Sequence, residues 1–234
     1  MSKKGLIGVQ MSTVAGLIPT LGAYGIMKAI HEAGYNCVEI SQFPMTPENV
    51  AAFQQACKDF GMTVSSISAA VAPMVPGMPG EYLCNEADFK KMVSDAKALN
   101  CDMMRIGMLP FTCMGSYEKA VEFAKEAEKY AVMLKEEGID LYYHNHPMEF
   151  IKKYAGSVRL LHLKDYRIGE LKVPAGGLNL TDRNAVAAFM AQFTANVEFA
   201  EVGEGTLDIA GCIEAGLESG AEFFLVELGY ADWF

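Results

Sequence analysis

Three of the chain's four histidines lie in two short segments that also carry acidic residues. The segment YYHNHPMEF holds His144, His146 and Glu149, and the segment LLHLKD holds His162. Glu227 lies in the apolar run FFLVELG, where an unpaired carboxylate is costly to bury. Imidazole nitrogens and carboxylate oxygens together bind divalent cations such as Mn, Zn, Co or Mg. These residue types predict a divalent-metal site; the alternative is a polar lining that holds water.

A divalent cation in such a site indicates a class of chemistry. The cation would hold the carbonyl and hydroxyl oxygens of a substrate and stabilise an enediolate. A neighbouring side chain would move a proton on the carbon next to the carbonyl. We count His144, His146, Glu39 and Lys164 as candidate catalytic residues. For Lys164 the alternative is a surface ion pair with the adjacent Asp165.

Short apolar runs alternate with helical patterns along the chain. The predicted strands are 6–12, 37–41, 63–69, 103–109, 140–146, 158–165 and 223–229. The predicted helices are 20–33, 46–61, 86–99, 116–138 and 208–219. Strands that alternate with helices form a parallel sheet, and this number of units indicates an α/β fold of the TIM-type (β/α)8 barrel class. We expect a single domain over residues 1–234, and the absence of GxGxxG after the first strand argues against a dinucleotide-binding fold.

The polar residues at the predicted strand ends explain how distant segments can form one site. In a TIM-type barrel the active site lies at the carboxyl ends of the strands. The polar residues at those ends are Gln10, Ser12, Glu39, Ser41, Arg105, His144, His146, His162, Lys164, Asp165 and Glu227. The barrel would bring them together at one mouth.

One βα unit is missing from the pattern. Only twelve residues separate His146 from Arg159, which leaves room for one helix and no further strand. A barrel unit needs about 25–30 residues, by analogy with the usual βαβ size. The last predicted strand is followed only by YADWF. The barrel is therefore expected to lack its sixth strand segment and its last helix.

Composition argues against a nucleic-acid partner and against a membrane location. The net charge of −10 disfavours binding to a phosphate backbone, so we expect no nucleic-acid partner. No uninterrupted apolar run reaches the ~20 residues that cross a bilayer, and the first residues do not resemble a signal peptide. The six cysteines form no CxxC pair, which favours reduced thiols in a cytoplasmic protein. Self-association into a homo-oligomer is expected by analogy with other barrels.

Four segments, in order, resemble one family: YYHNHPMEF, LLHLKD, EVGEGTLD and FFLVELG. The chain resembles the sugar phosphate isomerase/epimerase family, a group of xylose isomerase-like TIM barrels. The resemblance implies a divalent metal bound by His162 and Glu227, with Glu149 as first choice and His144 as second choice for the ligand from the fifth strand. His146 would then be an acid/base or substrate-binding residue, and Glu39 would contact substrate. The family's Asp ligand falls in the segment that this chain lacks.

The resemblance implies an isomerase or epimerase that acts on a small-molecule sugar, keto-sugar or sugar phosphate. A dehydratase or lyase acting on a keto-sugar or keto-inositol through the same enolate is a close alternative. The missing Asp leaves a non-catalytic, degenerate barrel as a further alternative. Phosphodiester hydrolysis, known from the endonuclease branch of the superfamily, is disfavoured because it uses several more histidines than this chain has.

Overall fold

The computed structural model describes residues 5–74, 77–108, 110, 113, 117–144, 158–169, 188, 191 and 195–227. Its strands are β1 (Leu6–Gln10), β2 (Cys37–Ile40), β3 (Thr63–Ala69), β4 (Met103–Ile106), β5 (Asp140–Tyr143), β6 (Leu160–Leu163), β7 (Asp165–Ile168), β8 (Val197–Ala200) and β9 (Phe223–Val226). Its α-helices are α1 (Ile18–Glu32), α2 (Pro47–Phe60), α3 (Glu86–Ala98), α4 (Tyr117–Glu136) and α5 (Ile209–Glu218). A 3-10 helix, Met11–Leu17, joins β1 to α1.

Seven strands form one parallel sheet in the order β5-β4-β3-β2-β1-β9-β6. Within the described residues this order is that of a (β/α) barrel without a strand between β5 and β6, which is consistent with the predicted shortened barrel. Within the described residues β5 and β6 do not pair with each other, so they are the two edges of the sheet. The predicted barrel class and its seven strands are confirmed. The prediction about the last helix concerns residues outside those described.

A separate antiparallel pair, β7 and β8, is the element that the sequence analysis missed. The predicted strand 158–165 is split, because β6 ends at Leu163 and β7 begins at Asp165. The predicted strand 6–12 also ends early. After Gln10 the chain turns into the 3-10 helix, since the Gln10 side chain accepts a hydrogen bond of 2.7 Å from the Ser12 N–H.

Local sequence explains the helix ends. Thr46 accepts a hydrogen bond from the Asn49 N–H, and Pro47 occupies the first position of α2. Gly61 ends α2 in the left-handed conformation, with φ of 65°. These signals position the second βα unit, and with it the strand that carries Glu39.

The apolar core fills the space between the sheet and α1 to α4. Its buried members include Ile26, Met27, Ile40, Phe53, Ile67, Val93, Met104 and Leu134. Glu39 alternates with Val38 and Ile40 along β2, so its side chain points to the opposite face of the sheet from theirs. That opposite face is the barrel interior, where the polar residues lie.

In the part of the chain that the structure describes, one helical segment, Met11–Glu32, is apolar and long enough to cross a membrane by length and composition alone. Core helices of globular folds pass the same test. Here Ile26, Met27 and Ile30 are buried in the core, and the backbone departs from helical geometry at Gly22. The segment forms the outer helical layer of the first βα unit.

Candidate metal centre

The register of the sheet places four polar side chains on its inner face. Glu39 is level with Ser66 on β3, and Arg105 on β4 is level with Tyr142 on β5. Residues level with one another on neighbouring strands share a face. The Ser66 Oγ donates to Glu39 Oε2 over 2.9 Å, and the Tyr142 hydroxyl donates to Ser66 Oγ over 3.1 Å. These contacts make a polar floor below the mouth.

His162 lies between two carboxylates and is almost completely buried. Its Nδ1 lies 2.7 Å from Glu227 Oε2, and its Nε2 lies 2.8 Å from Glu39 Oε2. Ionised carboxylates only accept hydrogen bonds, so both ring nitrogens donate in this arrangement. Burial works against the charged imidazole, but the bonds to Glu227 and Glu39 outweigh it and raise the pKa of His162.

Two cations complete a chain of alternating charges. The Arg105 Nε lies 2.7 Å from Glu39 Oε1, a close charge contact without hydrogen-bond geometry. The Lys164 Nζ lies 3.1 Å from Glu227 Oε1. The charges therefore alternate from Arg105 through Glu39, His162 and Glu227 to Lys164. Paired charges of this kind are tolerated in an interior where single charges are not.

His162 and the two cations also lower the pKa values of Glu39 and Glu227. Burial alone would raise the pKa of Glu39, but the His162 bond and the Arg105 charge hold it below its usual range. Burial likewise opposes ionisation of Glu227, whereas His162 and Lys164 lower its pKa to about 2. The lowered pKa values favour the ionised form of both groups, which is the form in which Glu227 could bind a metal ion.

His144 completes a cluster that can hold a metal ion. Its ring centroid lies 4.5 Å from that of His162. The ligand atoms of His144, His162 and Glu227 all lie within 4.8 Å of one another. Three donors at metal distances of about 2.1 Å in tetrahedral coordination would be about 3.4 Å apart, so small side-chain movements suffice. This set of two nitrogens and one oxygen fits a divalent ion such as Zn, Mn or Co.

Backbone hydrogen bonds fix two of these ligands at the mouth. The His144 N–H donates to the Ile106 carbonyl over 2.9 Å, and the Glu227 N–H donates to the Leu163 carbonyl over 3.0 Å. Each bond extends the strand pairing by one residue past the end of a strand. The two side chains are therefore held at the carboxyl ends of the sheet, where the sequence analysis expects the site.

Five of the predicted site residues can be located in the described part of the chain, and they lie together. His144, His162, Glu227, Glu39 and Lys164 form one connected cluster. His146 and Glu149, the first-choice ligand, lie outside the described residues. Their predicted roles remain predictions.

The sequence predicts Glu39 and Lys164 at the strand ends but does not identify their partners. Glu39 has no exposed surface, so it lies behind His162 rather than at the open mouth. Lys164 pairs with Glu227 and not with Asp165. Tyr142 and Ser66 were not predicted as site residues, although strand alternation places Tyr142 on the same face as His144.

Asp165 accepts backbone hydrogen bonds from a loop and does not join the cluster of His144, His162 and Glu227. Its Oδ2 accepts hydrogen bonds of 3.0 Å from the N–H groups of Gly203 and Gly205. Its Oδ1 accepts from Tyr166 over 2.8 Å and from Leu207 over 3.2 Å. Although burial opposes it, these backbone donors lower the pKa of Asp165. The carboxylate is therefore engaged in holding the loop 201–207 and does not replace the missing ligand.

Comparisons with known proteins agree with this architecture. The family model for the xylose isomerase-like TIM barrel matches residues 27–165. A comparison with curated proteins found no match. One similar solved structure is a xylose isomerase-like TIM barrel protein from Mycobacterium smegmatis in complex with magnesium, with a TM-score of 0.56, 13% identity and coverage of 99% of this chain and 92% of that one.

Two further solved structures are similar at the same level. The 3-keto-D-glucoside 4-epimerase from E. coli has a TM-score of 0.57 and 13% identity, and the match covers 96% of this chain and 92% of the epimerase. The IOLI protein with a bound zinc atom has a TM-score of 0.55 and 14% identity, with coverage of 95% and 88%. At these identities the likeness establishes the fold.

Proposed function

This chain belongs to the xylose isomerase-like TIM barrel family, and from that premise we propose that it is a divalent-metal-dependent isomerase or epimerase. Its substrate would be a sugar, keto-sugar or sugar phosphate. The observation that carries the proposal is the cluster of His144, His162 and Glu227 at the carboxyl ends of the strands. The epimerase, magnesium and zinc relatives lend support from the same fold.

In this proposal His144, His162 and Glu227 hold the ion, and we propose Glu149, on the same segment as His144, as a further ligand. When bound, the ion supplies Lewis-acid polarisation of a substrate carbonyl. His144 is thereby assigned to the metal, and His146 is left to move a proton on the carbon next to the carbonyl. A histidine suits that task because its pKa lies near neutrality.

Lys164 is proposed to orient the substrate. Its side chain is one-fifth exposed, and its Nζ contacts Glu227 Oε1 at 3.1 Å. An ammonium group beside a metal-ligating carboxylate can donate to a substrate hydroxyl or phosphate oxygen. The same cation helps to keep Glu227 ionised.

Deuterium exchange tests this function directly. Purified protein with added Mn²⁺ would be incubated in D2O with a panel of keto-sugars, aldoses and their phosphates. Proton NMR would follow loss of the signal on the carbon next to the carbonyl. We expect exchange with at least one substrate, its loss in His162→Ala, and its retention in His31→Ala, a histidine substitution on α1. No exchange with any member of the panel, from protein that holds its metal, would contradict the proposal.

The same NMR experiment distinguishes the proposed isomerase from two alternatives, a dehydratase or lyase and a non-catalytic barrel. A dehydratase or lyase would also exchange the proton but would release water or cleave the carbon chain, and the product spectrum distinguishes it. A non-catalytic barrel is favoured by one observation: Asp165, the nearest further carboxylate on this segment, is fully engaged by backbone donors. Such a protein would show neither exchange nor tight metal binding.

A further inference from the structure

We propose that Glu39 is a positioning residue that determines which nitrogen of His162 faces the metal. The Nε2–H donates to Glu39 Oε2 over 2.8 Å, on the interior side of the ring. The Nδ1 faces Glu227 Oε2 at 2.7 Å, on the side of the proposed ligands. The inference rests on the proposed metal site. It assigns Nδ1 to the metal, whose binding would displace the Nδ1 proton that now faces Glu227, and it assigns Nε2–H to Glu39.

Glu39 is suited to this task because it is held from several strands at once. Ser66 on β3 donates to its Oε2 over 2.9 Å, and Arg105 on β4 contacts its Oε1 at 2.7 Å. The hydroxyl of Tyr142 on β5 lies 3.5 Å from Oε2 and 3.1 Å from Ser66 Oγ. Burial and the Glu39 charge raise the pKa of Tyr142, which keeps its hydroxyl protonated. A carboxylate fixed from three neighbouring strands has little freedom to release His162.

Because Glu39 is buried, we assign it to positioning His162 and not to contact with the substrate. The side chain has no exposed surface, and His162 lies between it and Glu227. A metal-ligating histidine commonly donates its second N–H to a carboxylate, which fixes the tautomer and ring orientation and raises the basicity of the ligand. Loss of such a partner costs 10–100-fold in metal affinity, as a typical order of magnitude.

The first test reads the tautomer in the wild-type protein. Protein labelled with ¹⁵N-histidine would be loaded with one equivalent of Zn²⁺ as a diamagnetic probe. The ring nitrogens of His162 would be assigned by comparison with His162→Ala. We expect the chemical shift of a metal-bound nitrogen at Nδ1 and a retained proton at Nε2. Zinc bound through Nε2 would overturn the assignment of Glu39 while leaving the metal site intact. No zinc-dependent change at His162 would overturn the metal site and, with it, this assignment.

The second test removes the positioning charge. Glu39→Gln keeps the shape of the side chain but lets its amide donate to Nε2, so either tautomer becomes possible. We expect about 10–100-fold weaker Zn²⁺ binding in competition with a chromophoric chelator. The matched control is Glu86→Gln, whose side chain is 83% exposed at the start of α3. Circular dichroism would establish that the variant is folded, and unchanged zinc affinity in a folded Glu39→Gln protein would overturn the proposal.

Discussion

The rings of His144 and His162 have centroids 4.5 Å apart, although they come from the two edges of the sheet. His144 directly follows β5 and His162 lies on β6, and these strands do not pair with each other within the described residues. Because β5 and β6 do not pair in the described part of the chain, the side chains of His144 and His162 would be expected to lie far apart. Their contact shows that the sheet curls far enough for its edges to meet through side chains, so a ligand cluster can form in a shortened barrel.

His144, the second-choice ligand, contributes one of the three clustered donor atoms of the proposed metal site. His144→Ala removes one of three clustered donor atoms, so we expect Mn²⁺ or Zn²⁺ binding to weaken by at least about tenfold, as for loss of a ligand or its partner. Isothermal titration calorimetry would measure this change. His31→Ala is the matched control, because His31 contacts Asn36 and Phe60 at the outer helices. Equal affinities in the two variants would exclude His144 as a ligand.

Arg159 joins the same two edges at the opposite end of the barrel. It contacts Asp140 at the start of β5 over 3.2 Å and Glu222 just before β9 over 2.9 Å. A third partner, Asp102, lies 3.2 Å away. The Arg159 carbonyl also accepts hydrogen bonds from the N–H groups of Glu222 and Phe223. Arg159 thus links β4, β5, β6 and β9 at the edges of the sheet that the described residues leave unpaired.

We therefore predict that Arg159→Gln destabilises the fold more than a substitution of an isolated surface arginine. The partners are partly exposed and screened, so the loss in free energy of unfolding should be about 1 kcal/mol and should shrink in high salt. Urea denaturation would measure it. Arg167→Gln is the control, since the ion pair of Arg167 with Glu201 among the described residues is longer, at 3.9 Å. Equal midpoints for the two variants would show that Arg159 does not hold the edges together.

Asp165 provides a prediction about pH. Four backbone N–H groups lower the pKa of its carboxyl in the folded protein. Its contribution to stability is then fully present above the unfolded-state pKa of about 3.9 and is lost as the pH falls through the folded-state value. Asp165→Asn should therefore be less stable than wild type at pH 7, and the difference should narrow in acid. Thermal unfolding at several pH values would measure it.

The control for Asp165 is Glu198→Gln on the neighbouring strand β8, whose carboxylate is exposed. Because substitutions of exposed residues usually change stability little, Glu198→Gln should unfold at nearly the same temperature as wild type at pH 7. A gap between wild type and Asp165→Asn that stays constant down to pH 2 would mean that the charge of Asp165 does not hold the loop 201–207.

Local patterns predicted much of this architecture. The signals at Thr46, Pro47 and Gly61 define α2, and the predicted strand ends placed His162 and Glu227 at the mouth of the barrel. The pairing of β7 with β8 was not predictable in the same way. It joins Asp165 to Ala200, far along the chain, and no short hairpin turn connects the two strands. Such pairing is decided by tertiary contacts, here the bonds from the loop to Asp165.

The role of Glu39 also could not be determined from sequence. A lone carboxylate in an apolar strand signals a partner but does not identify it. The partners Arg105, Ser66 and His162 come from three other strands and meet Glu39 only through the register of the sheet and the curl of the barrel. Register and curl depend on the whole sheet, so spacing along the chain contains little information about them.

Metal content is the measurement that tests the central claim most directly. Purified protein would be incubated with Mn²⁺ or Zn²⁺, freed of excess ion and subjected to elemental analysis beside His162→Ala and His31→Ala. The clustered ligands predict about one tightly bound ion per chain in wild type and His31→Ala, and its loss in His162→Ala. Wild-type protein that retains no more metal than His162→Ala would contradict the claim that the shortened barrel forms a metal centre.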